Sequence, residues 1–150
     1  MSGFRSFMDL ALEEARAAAA RGEVPVGAVV VSPQGRVLAR AGNRVRELSD
    51  ATAHAEMLVL RGACRVLGQE RLTGCDLFVT LEPCAMCAMA MSHARIARLY
   101  YGASDPKSGG VAQGPCIFAH PQCHHVPEVY DGIGARAASA LLQEFFARLR

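Results

Sequence analysis

The chain opens on apolar positions spaced three and four apart. Phe4, Met8, Leu12 and Ala15 fall on one side of a helix, and Ala17-Ala18-Ala19-Ala20 has high helix propensity. This predicts a helix over 4–21, stopped by Gly22. Residues 24–31 are a continuous β-branched run of buried-strand type, followed by the turn Pro33-Gln34-Gly35 and a second strand over 36–41. Together they predict a hairpin. A polar loop spans 42–53. Helical spacing returns over 54–67, where Met57, Leu58, Leu60 and Cys64 form the apolar side and Gly68 ends the element. A short strand over 76–80, a helix of Ala and Met over 84–94 and a strand over 97–102 follow. Residues 104–125 are rich in Gly and Pro and predict a long loop, functional or flexible. A strand is possible over 126–130, and a last helix covers 134–149.

The helix over 84–94 shows almost no polar face, so it is expected to be buried on most sides or to meet a second copy of the chain. Strands separated by helices imply parallel neighbours, and the early hairpin adds an antiparallel edge. The expected fold is α/β: a three-layer α-β-α sandwich around a mixed sheet of about five strands. No repeat or linker divides the sequence, so 1–150 is expected to be a single domain.

Charge changes this picture little. The net charge of +2 is too small to argue for nucleic-acid binding by itself, and Lys107 is the single Lys among Arg residues. Residues 1–10 contain Arg5 and Asp9 and lack the apolar run of a signal peptide, and no stretch is long enough to span a membrane. A cytoplasmic location is expected. There the six Cys are expected to bind metal or to pack rather than to form disulfides.

The chemistry concentrates in two short segments. Thr52-Ala53-His54-Ala55-Glu56 is followed by Glu82-Pro83-Cys84-Ala85-Met86-Cys87, the H-x-E and P-C-x-x-C spacing of zinc deaminases. Catalytic zinc takes three protein ligands and keeps a fourth position for water. One imidazole (His54) and two thiolates (Cys84, Cys87) supply the three and nearly neutralise one Zn²⁺. His54 and Cys84 both fall at predicted helix starts, whose positive ends favour thiolate and hydroxide. Glu56 then stands close enough to move protons between water, ring and leaving amine. A structural zinc would want a fourth Cys or His and has no use for Glu56.

With these segments the chain resembles bacterial tRNA-specific adenosine deaminases, of the cytidine-deaminase-like superfamily, over essentially its whole length. The likeness rests on Glu23-Val24-Pro25-Val26-Gly27-Ala28, Gly42-Asn43-Arg44, the two zinc segments, Thr80-Leu81 and Tyr101-Gly102-Ala103-Ser104-Asp105-Pro106-Lys107. The resemblance implies a cytidine-deaminase-like sandwich, one Zn²⁺ per subunit, no organic cofactor and a homodimer acting on a tRNA anticodon stem-loop. It implies conversion of adenosine to inosine at the wobble position. By the same likeness Asn43 bonds the flipped base, Val26 packs on it, Asp105 and Lys107 lie beside the RNA, and the backbone around Glu82 and Cys84 faces the base or the metal water. At His120-Pro121-Gln122-Cys123-His124-His125 the chain departs from the Asn-His-Arg of many members, which removes one basic contact. The same metal chemistry would serve a deaminase of free cytosine, cytidine or guanine, which is the alternative activity.

Weaker features have plainer readings. Cys116, His120, Cys123, His124 and His125 match no common zinc spacing and are read as loop residues with one small core Cys. Cys64 and Cys75 are expected to pack as small hydrophobes. Core packing is the expectation for at least one of Phe145 and Phe146, with base stacking the alternative. Arg44, Arg46, Lys107, Arg148 and Arg150 are candidates for a phosphate-binding rim.

Overall fold

The computed structural model describes residues 6–150. The first helix, α1, runs Met8–Ala20; its predicted start at Phe4 lies outside the described residues. Strands β1 (Gly27–Val31) and β2 (Val37–Gly42) make the antiparallel hairpin. The Gly35 N–H donates to the Ser32 carbonyl at 2.9 Å, and Gly35 takes φ +83°, which glycine adopts without strain. Helix α2 (Ala55–Leu67), strand β3 (Asp76–Leu81), helix α3 (Ala85–His93) and strand β4 (Arg98–Ala103) follow. The long loop after β4 holds one 3-10 turn, Ile117–Ala119, and leads to strand β5 (Glu128–Tyr130) and helix α4 (Ala135–Arg148).

The described strands form one five-stranded sheet in the order β2-β1-β3-β4-β5. Period-two alternation divides its core into two layers. Ala28, Val30, Leu77, Val79, Leu99 and Tyr101 face α2 and α3. Val29, Val31, Phe78 and Tyr100 face the opposite way, towards Leu12 of α1 and Ala138 of α4. On that second face Phe78 stacks on Tyr100 at 4.5 Å and Tyr100 on Tyr130 at 5.0 Å, because these residues pair in register across β3, β4 and β5. Such pairs add about 0.5–1.5 kcal/mol beyond the area they bury. The three-layer sandwich is therefore as expected.

Three expectations change in detail. First, β1 starts at Gly27 rather than Val24. Pro25 has no N–H for a ladder, and Val26 N–H turns back to the Val24 carbonyl at 2.8 Å. Second, β3 is antiparallel to its neighbour β1, although a helix separates them in sequence. Helix α2 carries the chain from edge strand β2 across β1, so the two strands it joins are parallel without being adjacent. Third, α3 is buried on one side only. Cys87, Ala88, Met91 and Ser92 are inside, whereas Ala85, Met86, Met89 and Ala90 remain half-exposed. Among the described residues no helix is long and apolar enough to cross a membrane.

Candidate active site

Helices α2 and α3 begin at one point beside the sheet. His54 is the residue just before α2 and Cys84 the residue just before α3, both with extended backbone. A residue in that position usually turns its side chain onto its own helix. Neither does so here. The first N–H of α2, that of Ala55, is instead taken by Asn43 Oδ1 at 2.8 Å, which leaves the His54 ring free. His54 Nδ1 lies 3.7 Å from Cys84 Sγ and 3.5 Å from Cys87 Sγ, and the three donor atoms lie within 4.8 Å of one another.

That set fits zinc. Bonds of about 2.3 Å to sulfur and about 2.05 Å to nitrogen, at a tetrahedral angle, separate the two donors by roughly 3.5 Å. The protonation pattern agrees. Cys84 is drawn down to about 4, first by the proton that Cys87 donates to it and also by His54. Cys87 keeps its proton and is pushed up, chiefly by that same hydrogen bond. Cys84 as acceptor raises the His54 ring. The two sulfurs thus share one proton, and a dication is the partner that lets both ionise. Among the described residues this is the only group of three such donors close enough to hold an ion, so Cys116 and His120 to His125 gather no second site. Cys123 is buried and bonds the Ser92 hydroxyl at 3.3 Å. Cys75 is buried and Cys64, though half-exposed, packs against the same core cluster, both as expected.

One consequence concerns the metal-free protein. At pH 6, above its depressed value, Cys84 is a thiolate, whereas burial raises Cys64 and Cys75 above the ordinary thiol range and keeps them protonated. Iodoacetamide should therefore alkylate Cys84 first in zinc-stripped protein, and added zinc should protect it. Peptide mapping by mass spectrometry checks this; preferential labelling of Cys64 or Cys75 would refute it.

Glu56 sits in the first turn of α2 and is 4% exposed. Burial pushes its carboxyl up to about 7, against the opposing pull of its own backbone N–H and of His54. A group poised there can both accept and give a proton at neutral pH.

A cavity of about 410 Å³ opens onto His54, Glu56 and Cys84. Four of the five predicted substrate contacts line it: Val26, Asn43, Glu82 and Asp105. Lys107 does not; it is exposed on the loop beyond Asp105, whose Oδ1 accepts the Lys107 N–H at 3.2 Å. Asn43 is fixed on several sides. Its N–H bonds the Val26 carbonyl at 3.1 Å and its carbonyl accepts from Arg21 at 3.1 Å. Among the described residues nothing accepts from its Nδ2, so that amide is available to a ligand. The Glu82 side chain is buried, 2% exposed, and bonded to the loop after β4. Burial resists its ionisation, yet the N–H groups of Asp105, Gln113, Ala112 and Val111 together hold the carboxyl below its ordinary value.

Three cavity residues come from the far end of the chain. Phe145, Phe146 and Leu149 at the end of α4 form an apolar wall, and neither Phe joins the buried core; Phe146 is 44% exposed. Core packing is thus corrected. Glu23 also lines the cavity and was missed. It is 2% exposed and accepts the N–H groups of Arg46 at 3.1 Å and Glu47 at 2.8 Å. Its sequence signal was an acid placed against a run of buried-strand residues. Of the basic rim candidates, Arg44 pairs with Glu47 and Arg148 with Glu144, and Arg46 donates to the Gly22 carbonyl.

An imidazole and two cysteine sulfurs close enough to hold one metal ion, with a poised acid beside them, are the groups that a hydrolytic zinc deaminase uses. Residues 1–103 match the model of the cytidine and deoxycytidylate deaminase zinc-binding region. A tRNA-specific adenosine deaminase of Agrobacterium fabrum is 60% identical over 96% of this chain and 94% of its own. A solved structure from work on A-to-I editing by tRNA:A34 deaminases at the wobble position of transfer RNA shares 61% identity. It has a TM-score of 0.89 and covers 91% of this chain and 98% of that one. The guanine deaminase of Nitrosomonas europaea is 27% identical with a TM-score of 0.80, over 93% of this chain and 82% of its own. The chain belongs to the tRNA-specific adenosine deaminases, within the cytidine and deoxycytidylate deaminase zinc-binding family.

Proposed function

We propose that this protein converts adenosine to inosine at the wobble position of a tRNA anticodon, as one domain over residues 1–150 in the cytoplasm. His54, Cys84 and Cys87 hold one zinc, and Glu56 is the catalytic acid–base group. The observation that carries the reading is the gathering of His54, Cys84 and Cys87 beside a buried Glu56, with His54, Cys84 and Glu56 lining a cavity. Bound zinc supplies Lewis acidity, which makes water a competent nucleophile near neutral pH.

The residues divide the remaining work. A ring carbon inside a base stack is out of reach, so the adenine must be extruded into the cavity. Val26 packs on it and Asn43 Nδ2 donates to an acceptor on its edge. Glu56 takes a proton from the attacking water and passes it to ring N1 as the C6–O bond forms. It then carries the second water proton to the amino group, and the C6–N bond breaks to release ammonia and leave the C6 carbonyl of inosine. The apolar wall of Phe145, Phe146 and Leu149 offers flat surface to a neighbouring base. Asp105 and Lys107 lie along the RNA, and Glu82 contributes through its backbone, since its carboxylate is bonded elsewhere.

The second reading, deamination of a free base, draws on the shared fold of the guanine deaminase. Incubation of the zinc-loaded protein with an anticodon stem-loop and, separately, with free adenosine, cytidine and guanine separates the two. Inosine in the stem-loop alone is the expected result. Xanthine from guanine without inosine in RNA would overturn it.

We also propose a homodimer through α2 and α3. A shallow apolar groove between them is lined by Met57, Leu60, Cys64, Ala90 and Ala94, next to the half-exposed Met86 and Met89. Ala90→Arg should shift the sedimenting species from dimer to monomer; a monomeric parent protein would refute the proposal.

A further inference from the structure

Glu82 stands two residues before Cys84 and takes no part in the proton transfers above. Its carboxylate is nevertheless the most heavily bonded acceptor around the cavity. Oε1 accepts the Asp105 N–H at 3.0 Å and the Ser104 hydroxyl at 3.3 Å. Oε2 accepts the N–H groups of Val111, Ala112 and Gln113 at 3.2, 2.9 and 3.0 Å. Both ends of the loop over 104–113 therefore terminate on one side chain. The loop also lies directly on the turn that carries Cys84. Gly110 N–H donates to the Pro83 carbonyl at 2.8 Å. A Cβ at Gly110 would come within 2.5 Å of the Ala85 nitrogen, and one at Gly109 within 2.6 Å of Glu82 Cδ. This loop supplies Asp105 and Ser108 to the cavity.

We propose that Glu82 is a positioning residue: it fastens the 104–113 loop to the turn bearing Cys84 and so sets the substrate-facing wall of the cavity. The chemistry of the donors explains why an acid is needed. Both oxygens meet only N–H and O–H groups, so both must accept. Glutamine keeps the shape but turns an NH₂ group against either two donors or three. An apolar residue removes the acceptor from all five donors at once.

The kinetic half of this proposal rests on the RNA reading above; the structural half does not. Lys107, in this loop, is the only Lys of the chain, so a lysine-specific endoprotease has a single cleavage point that reports on the loop. In zinc-loaded Glu82→Gln we expect native-state cleavage after Lys107 to accelerate at least about tenfold, the change that one lost net hydrogen bond produces. KM for the anticodon stem-loop should rise about tenfold by the same reasoning, while kcat stays within about threefold. Gly109→Ala retains Glu82 but displaces the loop and should give both changes, which decides the matter if Glu82→Gln does not fold. Phe78→Leu, on the opposite face of the sheet, should lower Tm without raising KM. Cleavage and KM both within about twofold of wild type would overturn the proposal, as would faster cleavage with unchanged KM, because the fastened loop would then not serve the substrate. Wild-type protein without turnover on RNA would overturn the substrate reading, and the protease measurement would still decide whether Glu82 holds the loop.

Discussion

Glu56→Ala should abolish deamination of the stem-loop while leaving zinc content and RNA affinity near those of the wild type. Glu56 is assigned both proton transfers, so the loss is expected at the upper part of the range for general acid–base catalysis, about 10³–10⁴-fold in kcat. Zinc should remain because no Glu56 atom belongs to the group of three donors. Stability should move the other way. The folded-state value of Glu56 is raised from 4.5 to about 7 by burial. Ionised Glu56 therefore opposes folding as pH rises through that window, and the cost is complete above about pH 7. In zinc-free protein, Glu56→Gln should raise Tm at pH 8 relative to wild type and leave it nearly unchanged at pH 4. Residual turnover above about one tenth of wild type would remove Glu56 from the proton path, since even the weakest general acid–base contribution is larger. An unchanged Tm at pH 8 would contradict its buried, charge-averse setting.

Cys87→Ser should remove zinc and activity together. Loss of an outer partner of a metal ligand costs 10–100-fold in metal affinity, and a thiolate bonded directly to the metal should cost more than about 100-fold. Cys64→Ser is the matched control. Cys64 is half-exposed on α2, and its thiol meets the Glu70 carbonyl at 3.7 Å rather than another donor of the metal group. Zinc stoichiometry and chelator competition, measured beside turnover, should separate the variants completely. Equal losses in both would mean that the wrong thiols have been assigned.

The metal group was legible because each of its signals is local. Gly68 marks the end of α2, the helical spacing fixes its direction, and His54 and Glu56 stand at its start; Pro83 does the same for Cys84. The antiparallel pairing of β1 with β3 was not legible, because it depends on which side of the hairpin α2 crosses. The wall of Phe145, Phe146 and Leu149 was legible only in part, as the alternative to core packing for the two Phe residues. Their helical spacing suits a core face, and only the path of α4 brings them to a cavity begun by residue 22. The burial of two acids was not legible for a third reason. Glu23 and Glu82 have the composition of surface residues, and burial is permitted only by loop N–H groups that converge from elsewhere in the chain. Asn43 serves two ends: its Oδ1 accepts the first N–H of α2, and the residue also lines the cavity.

An X-ray absorption spectrum at the zinc edge of the purified protein tests the account at its root. One nitrogen near 2.05 Å, two sulfurs near 2.3 Å and one light oxygen or nitrogen atom from solvent are expected, roughly as for catalytic zinc in general. A shell of three or four sulfurs, or of two imidazoles, would mean that the coordination is closed by protein, and the deaminase chemistry assigned to His54, Glu56, Cys84 and Cys87 would fall with it.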